Sequence, residues 1–344
     1  MSVRALLALA CVAVCGAPDA ANDTMAAGAV AGVAAWRAAR LLQHWREQQG
    51  FVDDGTWSEH QWRRAPAECS GKPPPAGCIN GYLWDGLREE ASRNATAVCA
   101  RLAARGITTI LIIGDSFMRH THVATLSFLS SNTQNASLAN VYGAAAPGTG
   151  YDRQCEYEGQ YQQADCRDQI TPEGVVCGAA VKVRHLWWYR FEWPQLGVWL
   201  EEADLVIWSD GSHGLDARSY PPTCDPTQGA GGWAERFAGV CSSWSASLRD
   251  KVVWVSRHAR VNPRYYKLQC GRESPAHWRA LDRRFERALE ERCGVRRRVD
   301  MHEITTKALF QVPRIHTFSY DGVHFGSVVN WAKAAWLWSE ILGR

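Results

Sequence analysis

Three residues in two short stretches have the types and spacing for nucleophilic chemistry. Ser116 closes Gly114-Asp115-Ser116, and Asp321-Gly322-Val323-His324 lies close to the C-terminus. A serine hydroxyl attacks well only when a base takes its proton, and the base works best when a third group orients it. Asp-x-x-His offers both parts in one turn: the carboxylate accepts the proton of one ring nitrogen, and the other nitrogen is left to face Ser116. Gly322 permits the tight local turn. The bland alternative is that Asp115 and Ser116 merely cap a helix and that the Asp-x-x-His spacing is coincidental.

An oxyanion needs donors beyond the N–H of Ser116. Asp210, Gly211 and Ser212, followed by His213, form a polar loop that offers backbone amides, and Gly143 is another candidate. Asp115 adjoins the serine, while Arg119 and His120, one turn into the next helix, face the pocket or simply solvate it. The Gly-x-Ser-x-Gly elbow of α/β-hydrolases is absent. Phosphate-binding glycine loops are missing as well. His120 and His122 are two apart and share no helix face, and no His-Glu-x-x-His occurs, so no metal is expected. His44, His60, His185 and His277 read as surface or core residues.

The elements that must position these residues follow from hydrophobic patterning. Ile107–Ile113 is an uncharged, β-branched run, a strand buried on both faces. Gly114 turns the chain sharply and Ser116 opens a helix carrying Phe117, Val123, Leu126 and Phe128. Before it, Ala95–Arg105 reads as a helix. After it, Ser130–Gly178 is long and irregular, tied down by Cys155, Cys166 and Cys177. Val181–Arg190, Asp204–Trp208, Lys251–Val255 and Val295–Val299 read as strands. Pro194–Glu202, Trp233–Arg249, Glu273–Arg292 and Ser327–Leu342 read as helices, the third with a core stripe of Trp278, Leu281, Phe285 and Leu289. Such alternation implies an α/β fold, a mainly parallel sheet between helical layers. Ligands then bind beyond the carboxyl ends of the strands, where Ser116, Asp210, His258 and the Asp321–His324 loop are expected to converge.

Composition narrows the setting. A net charge of +3 is small, and Arg283-Arg284 and Arg296-Arg297-Arg298 read as solvated faces rather than a nucleic-acid footprint. Arg4, an apolar run from Ala5 to Val14 and small residues at Cys15-Gly16-Ala17 have the form of a signal peptide over residues 1–17, with a signal anchor as the minority alternative. No later stretch approaches a membrane span. Of twelve cysteines, Cys11 and Cys15 fall in that leader; the remaining ten form an even set suited to an oxidising lumen. Asn22, Asn94 and Asn135 begin N-glycosylation motifs. Residues 18–50 read as a helical spacer, 51–100 as a cysteine-bearing segment held by disulfides, and 101–344 as the catalytic domain. The 17 tryptophans fill the core, and some are candidate stacking platforms for sugar rings.

Gly114-Asp115-Ser116 with Arg119, together with Asp321-Gly-Val-His324, resembles the PC-esterase group of the GDSL/SGNH superfamily, which includes the trichome birefringence-like proteins, the neurexophilin-related proteins and the sialic-acid O-acetyltransferase. Gly55-Thr-Trp57, Trp62–Pro66 to Cys69, and Val299–Thr305 extend the similarity from about Phe51 to the C-terminus. The resemblance implies a three-layer α/β/α sandwich with Ser116 as nucleophile, His324 as base and Asp321 as the orienting carboxylate. It further implies a serine O-acyltransferase acting on carbohydrate hydroxyls in the Golgi or outside the cell, with a carbohydrate esterase as the alternative and an inactive carbohydrate-binding protein as the rival. No cofactor is implied; acetyl-CoA or another acetylated compound would be the acyl donor. His120 stands where plant members have Asn or Gln, and Asp210-Gly211-Ser212-His213 where they have Asn-Thr-Gly-His.

Overall fold

A computed structural model describes residues 59–70, 75–87, 93–139, 153–162, 166–187, 196–209, 239–260, 275–319 and 321–343. The expected leader and spacer, including the helix that composition places at about Ala26–Gln49, lie outside the described residues, as do Cys224 and Cys270.

The centre is a six-stranded sheet of β4 (Thr109–Gly114), β5 (Glu173–Val176), β6 (Val181–Trp187), β7 (Leu205–Trp208), β8 (Val252–Val255) and β9 (Arg297–Val299), in the order β5-β6-β4-β7-β8-β9. All neighbours are parallel except the β5–β6 pair. Alternate residues of the inner strands enter opposite cores, as a period-two side-chain pattern requires. Ile110, Ile112, Val183 and Val253 join one core with Leu102, Leu126 and Trp338. Leu111, Ile113, Leu186 and Trp254 join the other with Leu200, Trp244 and Phe285. The first core is covered by α1 (Ala95–Ala104), α2 (Ser116–Leu129), α6 (Met301–Gln311) and α7 (Ser327–Gly343), and the second by α3 (Leu196–Glu202) and α5 (Pro275–Ala288). A short helix α4 (Ala246–Lys251) leads into β8. This is the expected α/β/α layering.

Strand β4 pairs with β6 on one side and β7 on the other, so the order reverses at β4. Ligands bind at such switch points, and Ser116 follows β4 directly.

A smaller antiparallel sheet, β1 (Trp62–Arg64), β3 (Tyr82–Trp84) and β2 (Cys78–Ile79), is stapled by Cys69–Cys78. It also shares the main core: Trp62 Nε1 donates to the Ile304 carbonyl at 3.0 Å, and Trp84 packs edge-on against Trp336. Cys99–Cys177 ties α1 to the turn between β5 and β6, and Cys155–Cys166 and Cys241–Cys293 close shorter loops.

Several elements depart from the sequence reading. The central strand starts at Thr109 because the Asp204 carboxylate takes the N–H groups of Thr108 and Thr109 and the Thr108 hydroxyl. The section expected to be irregular holds the edge strand β5. Trp233–Arg249 is not one helix, since the chain breaks after Cys241 and Ser245 caps a new one by accepting from Leu248 N. The helix expected to reach Arg292 gives way after Ala288 to a wider π turn, Leu289–Cys293, which Gly294 stops at φ +69°. Phe285 and Leu289 of its stripe are buried, while the side chains of Trp278 and Leu281 are not among those described. Asp300-Met-His-Glu-Ile304 belongs to α6, with Asp300 as N-cap accepting from Glu303 N at 2.9 Å.

The arginine clusters are also not simply solvated. Arg283 bonds Glu286 and Asp300, Arg298 reaches Glu286 and Glu290, and Arg257 holds Asp282 at 2.6 Å in the interior. Glu286 is 2 % exposed. Burial, followed by the charge of Asp300, pushes its carboxyl up to about 7 against the pull of Arg283. Between the ordinary 4.5 and about 7 the folded chain holds a proton that the unfolded chain lacks, so this group's contribution to stability falls as pH rises through that window. The shift is worth roughly 3 kcal/mol. Buried neutral histidines slope the other way, but they are common to parent and variant. The stability of Glu286→Gln relative to the parent is therefore expected to rise by about 3 kcal/mol between pH 4.5 and 7.5 in urea titrations. A pH-independent difference would contradict this account of Glu286.

Candidate active site

The β4–α2 junction presents the serine. Asp115 is the N-cap of α2, and its carboxylate accepts from Phe117 N at 2.9 Å. Gly114 has φ +153°, and a Cβ there would lie 2.8 Å from the Ser209 carbonyl and 2.4 Å from Met118 Cγ. Only glycine lets β7 and the first turn of α2 approach this closely. The Ser116 N–H makes no hydrogen bond to any described residue. It lies at the positive end of a 14-residue helix, where a developing anion is favoured. The capping role and the chemical role thus fall to different residues, Asp115 and Ser116.

The late loop supplies the partners. Asp321 Oδ1 accepts the backbone N–H groups of Val323 at 2.8 Å and His324 at 2.7 Å. Gly322, at φ +79°, donates to Ser319 Oγ and completes the turn. Asp321 Oδ2 lies 2.6 Å from His324 Nδ1, and His324 Nε2 lies 2.7 Å from Ser116 Oγ. A carboxylate only accepts, so Nδ1 carries the proton and Nε2 is left to accept from the serine hydroxyl. Burial pushes the Asp321 carboxyl up, but the hydrogen bond and charge of His324 and the two amides outweigh it, and it titrates below its ordinary value. Asp321 and His324 therefore form an ordered pair, aimed at a residue 208 positions away.

Two solved structures align with this fold. One is a lipase/acylhydrolase from Enterococcus faecalis, with TM-score 0.39 and 14% identity over 69% of this chain and 97% of that one. The other is Axe2, an acetylxylan esterase from Geobacillus stearothermophilus, with TM-score 0.37 and 14% identity over 68% of this chain and 94% of that one. No family model and no curated protein matches the chain. The activities named there belong to those proteins; the chemistry here rests on the distances above.

The remaining candidates divide. Arg119 and His120 are 3 % and 0 % exposed, so neither solvates the surface. The His120 ring centroid lies 5.0 Å from that of His324, its Nε2 is 3.4 Å from Arg119 Nη2, and the Arg119 guanidinium lies over Trp187. Burial, followed by the charges of His324 and Arg119, holds His120 well below its ordinary value, so the ring is neutral. His122, instead, bonds the Thr171 carbonyl at 3.0 Å and is pushed down to about 4 by burial. Gly143, Asp210, Gly211, Ser212 and His213 lie outside the described residues. Among the described residues, no group of three or more His, Cys, Asp or Glu side chains could hold a metal ion, and no helix is long and apolar enough to cross a membrane.

The sequence reading missed Lys333. It lies buried in α7 and donates to His258 Nδ1 at 2.8 Å and to Asn330 Oδ1 at 2.9 Å. The signal was present: it is the one charged residue in Val328–Trp338, an otherwise apolar run apart from Asn330. Glu158 was also missed. Its carboxylate takes the Ser327 N–H at 3.0 Å and the Ser327 hydroxyl, capping α7 three residues beyond His324.

Proposed function

We propose that the chain is a serine-dependent acyl-transfer enzyme acting on O-acylated carbohydrates, most simply an O-acetyltransferase. The observation that carries this reading is the 2.7 Å approach of His324 Nε2 to Ser116 Oγ, with Asp321 fixing the tautomer. Ser116 Oγ attacks the ester carbonyl carbon as its proton passes to His324 Nε2. The oxyanion meets the Ser116 N–H and the N-terminal end of α2. Collapse expels the alcohol, which leaves with the proton from Nε2, and an acyl-Ser116 remains. A second hydroxyl then gives its proton to Nε2, takes the acyl group and frees the serine. Asp321 keeps its charge throughout.

A sugar hydroxyl as acceptor gives a transferase; water gives an esterase. The sugar itself is supported by the resemblance of Gly114-Asp-Ser116 with Arg119, and of Asp321-Gly-Val-His324, to the PC-esterase group. A secretory, oxidising compartment is supported by the four cystine pairs among the described residues and by the leader-like residues 1–17.

The test is labelling with a serine-directed fluorophosphonate, followed by incubation with acetylated xylan with and without a sugar acceptor. The expected outcome is label on the parent, none on Ser116→Ala, and acetyl groups recovered on the acceptor. Release of acetate alone, whatever the acceptor, would replace transferase by esterase. Absence of label on the parent would overturn both.

A further inference from the structure

Behind the Asp321–His324 turn lies a buried pair of residues that the proposed chemistry does not use. His258, three residues past the end of β8, is 4 % exposed, and Lys333 of α7 is 2 % exposed. The His258 ring packs on Phe117, the residue after Ser116, with centroids 3.8 Å apart. Its Nε2 lies 3.0 Å from the carbonyl oxygen of Val323, the residue before His324. A carbonyl only accepts, so Nε2 carries a proton. The neutral ring has no second proton, so Nδ1 is bare and accepts from Lys333 Nζ, 2.8 Å away. Both contacts suit this one neutral tautomer.

The groups facing this pair agree. Burial, followed by the charges of Lys333 and His324 and a smaller push from Arg260, holds His258 well below its ordinary value; the Val323 carbonyl opposes them. Burial lowers Lys333 to about 7, opposed only by Asp115. Among the described residues no carboxylate comes within ion-pair distance of Lys333. A lysine buried without a carboxylate partner is costly, and a methionine of similar shape would pack there at lower cost. Fold stability alone therefore does not account for it.

We propose that His258 is a positioning residue that holds the Ser116 junction and the His324 turn at their working separation, with Lys333 anchoring the ring through its other nitrogen. The inference rests on the reading of Ser116 as nucleophile, and it deepens that reading by adding a bridge through His258 between two segments that also meet in the 2.7 Å hydrogen bond of the reacting groups and in the edge-on packing of Phe117 on His324.

The test has two arms on the full chain. In the first, nitrogen-15 NMR of histidine-labelled protein reads the protonation of each His258 ring nitrogen. The expected result is Nε2–H with bare Nδ1 in the parent, and in Lys333→Met a bare Nδ1 whose resonance moves to that of a nitrogen accepting no hydrogen bond. In the second, p-nitrophenyl acetate hydrolysis is measured. His258→Phe keeps the ring stack and loses the donor, so kcat is expected to fall about 10- to 100-fold with KM within about twofold. His258→Gln, whose amide N–H replaces the donor, is expected to recover to within about fivefold of the parent. A proton on Nδ1 in the parent, an Nδ1 resonance unmoved in Lys333→Met, or a His258→Phe kcat within about twofold of the parent would each overturn the inference. If parent and Ser116→Ala hydrolyse the ester alike, the acyl-serine reading falls by itself, and the NMR arm still decides the tautomer. Should His258→Phe fail to fold, Lys333→Met and His258→Gln carry the test.

Discussion

Ser116→Ala and Asp321→Asn are each expected to lower kcat for ester cleavage by about 10⁴-fold or more at neutral pH while leaving the chain folded. The first removes the attacking oxygen. The second acts through geometry that can be traced atom by atom. Asp321 Oδ1 accepts two backbone N–H groups, from Val323 at 2.8 Å and His324 at 2.7 Å. In the asparagine variant only the amide oxygen can fill that position, so the NH₂ group must face His324 Nδ1. Nδ1 then becomes the acceptor, and the ring proton moves to Nε2, the nitrogen 2.7 Å from Ser116 Oγ. A protonated Nε2 takes no proton from the serine. Steady-state kinetics beside a urea melt separate this from unfolding. A kcat within tenfold of the parent for Asp321→Asn would mean that the carboxylate does not set the tautomer.

Gly114→Ala is expected to damage both stability and activity. The added methyl carbon would sit 2.8 Å from the Ser209 carbonyl oxygen, a backbone atom in line with β7, and 2.4 Å from Met118 Cγ. Met118 is 2 % exposed and packed in the main core, so it has little room to yield. Clash and a φ of +153° together are expected to cost about 2–4 kcal/mol. The β4–α2 junction relieves the clash by shifting, and a displacement of about 1 Å at Ser116 is worth about 10²-fold in kcat. Thermal or urea unfolding measures the first effect and p-nitrophenyl acetate turnover the second. A variant with parental stability would show that β7 and α2 are not held as close as this account requires.

These two outcomes also indicate where the sequence was readable. The strand, the glycine, the serine and the helix are consecutive, so local patterning exposes the junction; the Asp321–His324 turn is equally local. Their meeting across 208 positions was legible through strand–helix alternation, which brings loops to the carboxyl edge of a parallel sheet, and through the resemblance of the two motifs to the PC-esterase group. What stayed hidden depends on partners from elsewhere. Arg283 looks solvated until Asp300 arrives from the start of α6, and Arg298 until Glu286 arrives from α5. Lys333 looks misplaced until His258 is set beside it. The edge strand β5 escaped notice because Glu173-Gly174 weakens its strand pattern, and Gly178 and Ala179, both at positive φ, turn it back onto β6. The start of α6 did carry a signal that was passed over: Asp300 with Glu303 three residues on has the spacing of a helix cap, although β-branched Ile304, Thr305 and Thr306 obscure the helix.

The most direct measurement traps the intermediate. The full chain is mixed with p-nitrophenyl acetate, quenched in acid within the first turnover, digested and analysed by mass spectrometry. The account predicts one acetyl group on the peptide spanning Ser116, in amounts that grow in His324→Ala at high pH, where attack proceeds but deacylation lacks its base. An acetyl group found only on other residues, or turnover with no covalent intermediate at any quench time, would contradict it.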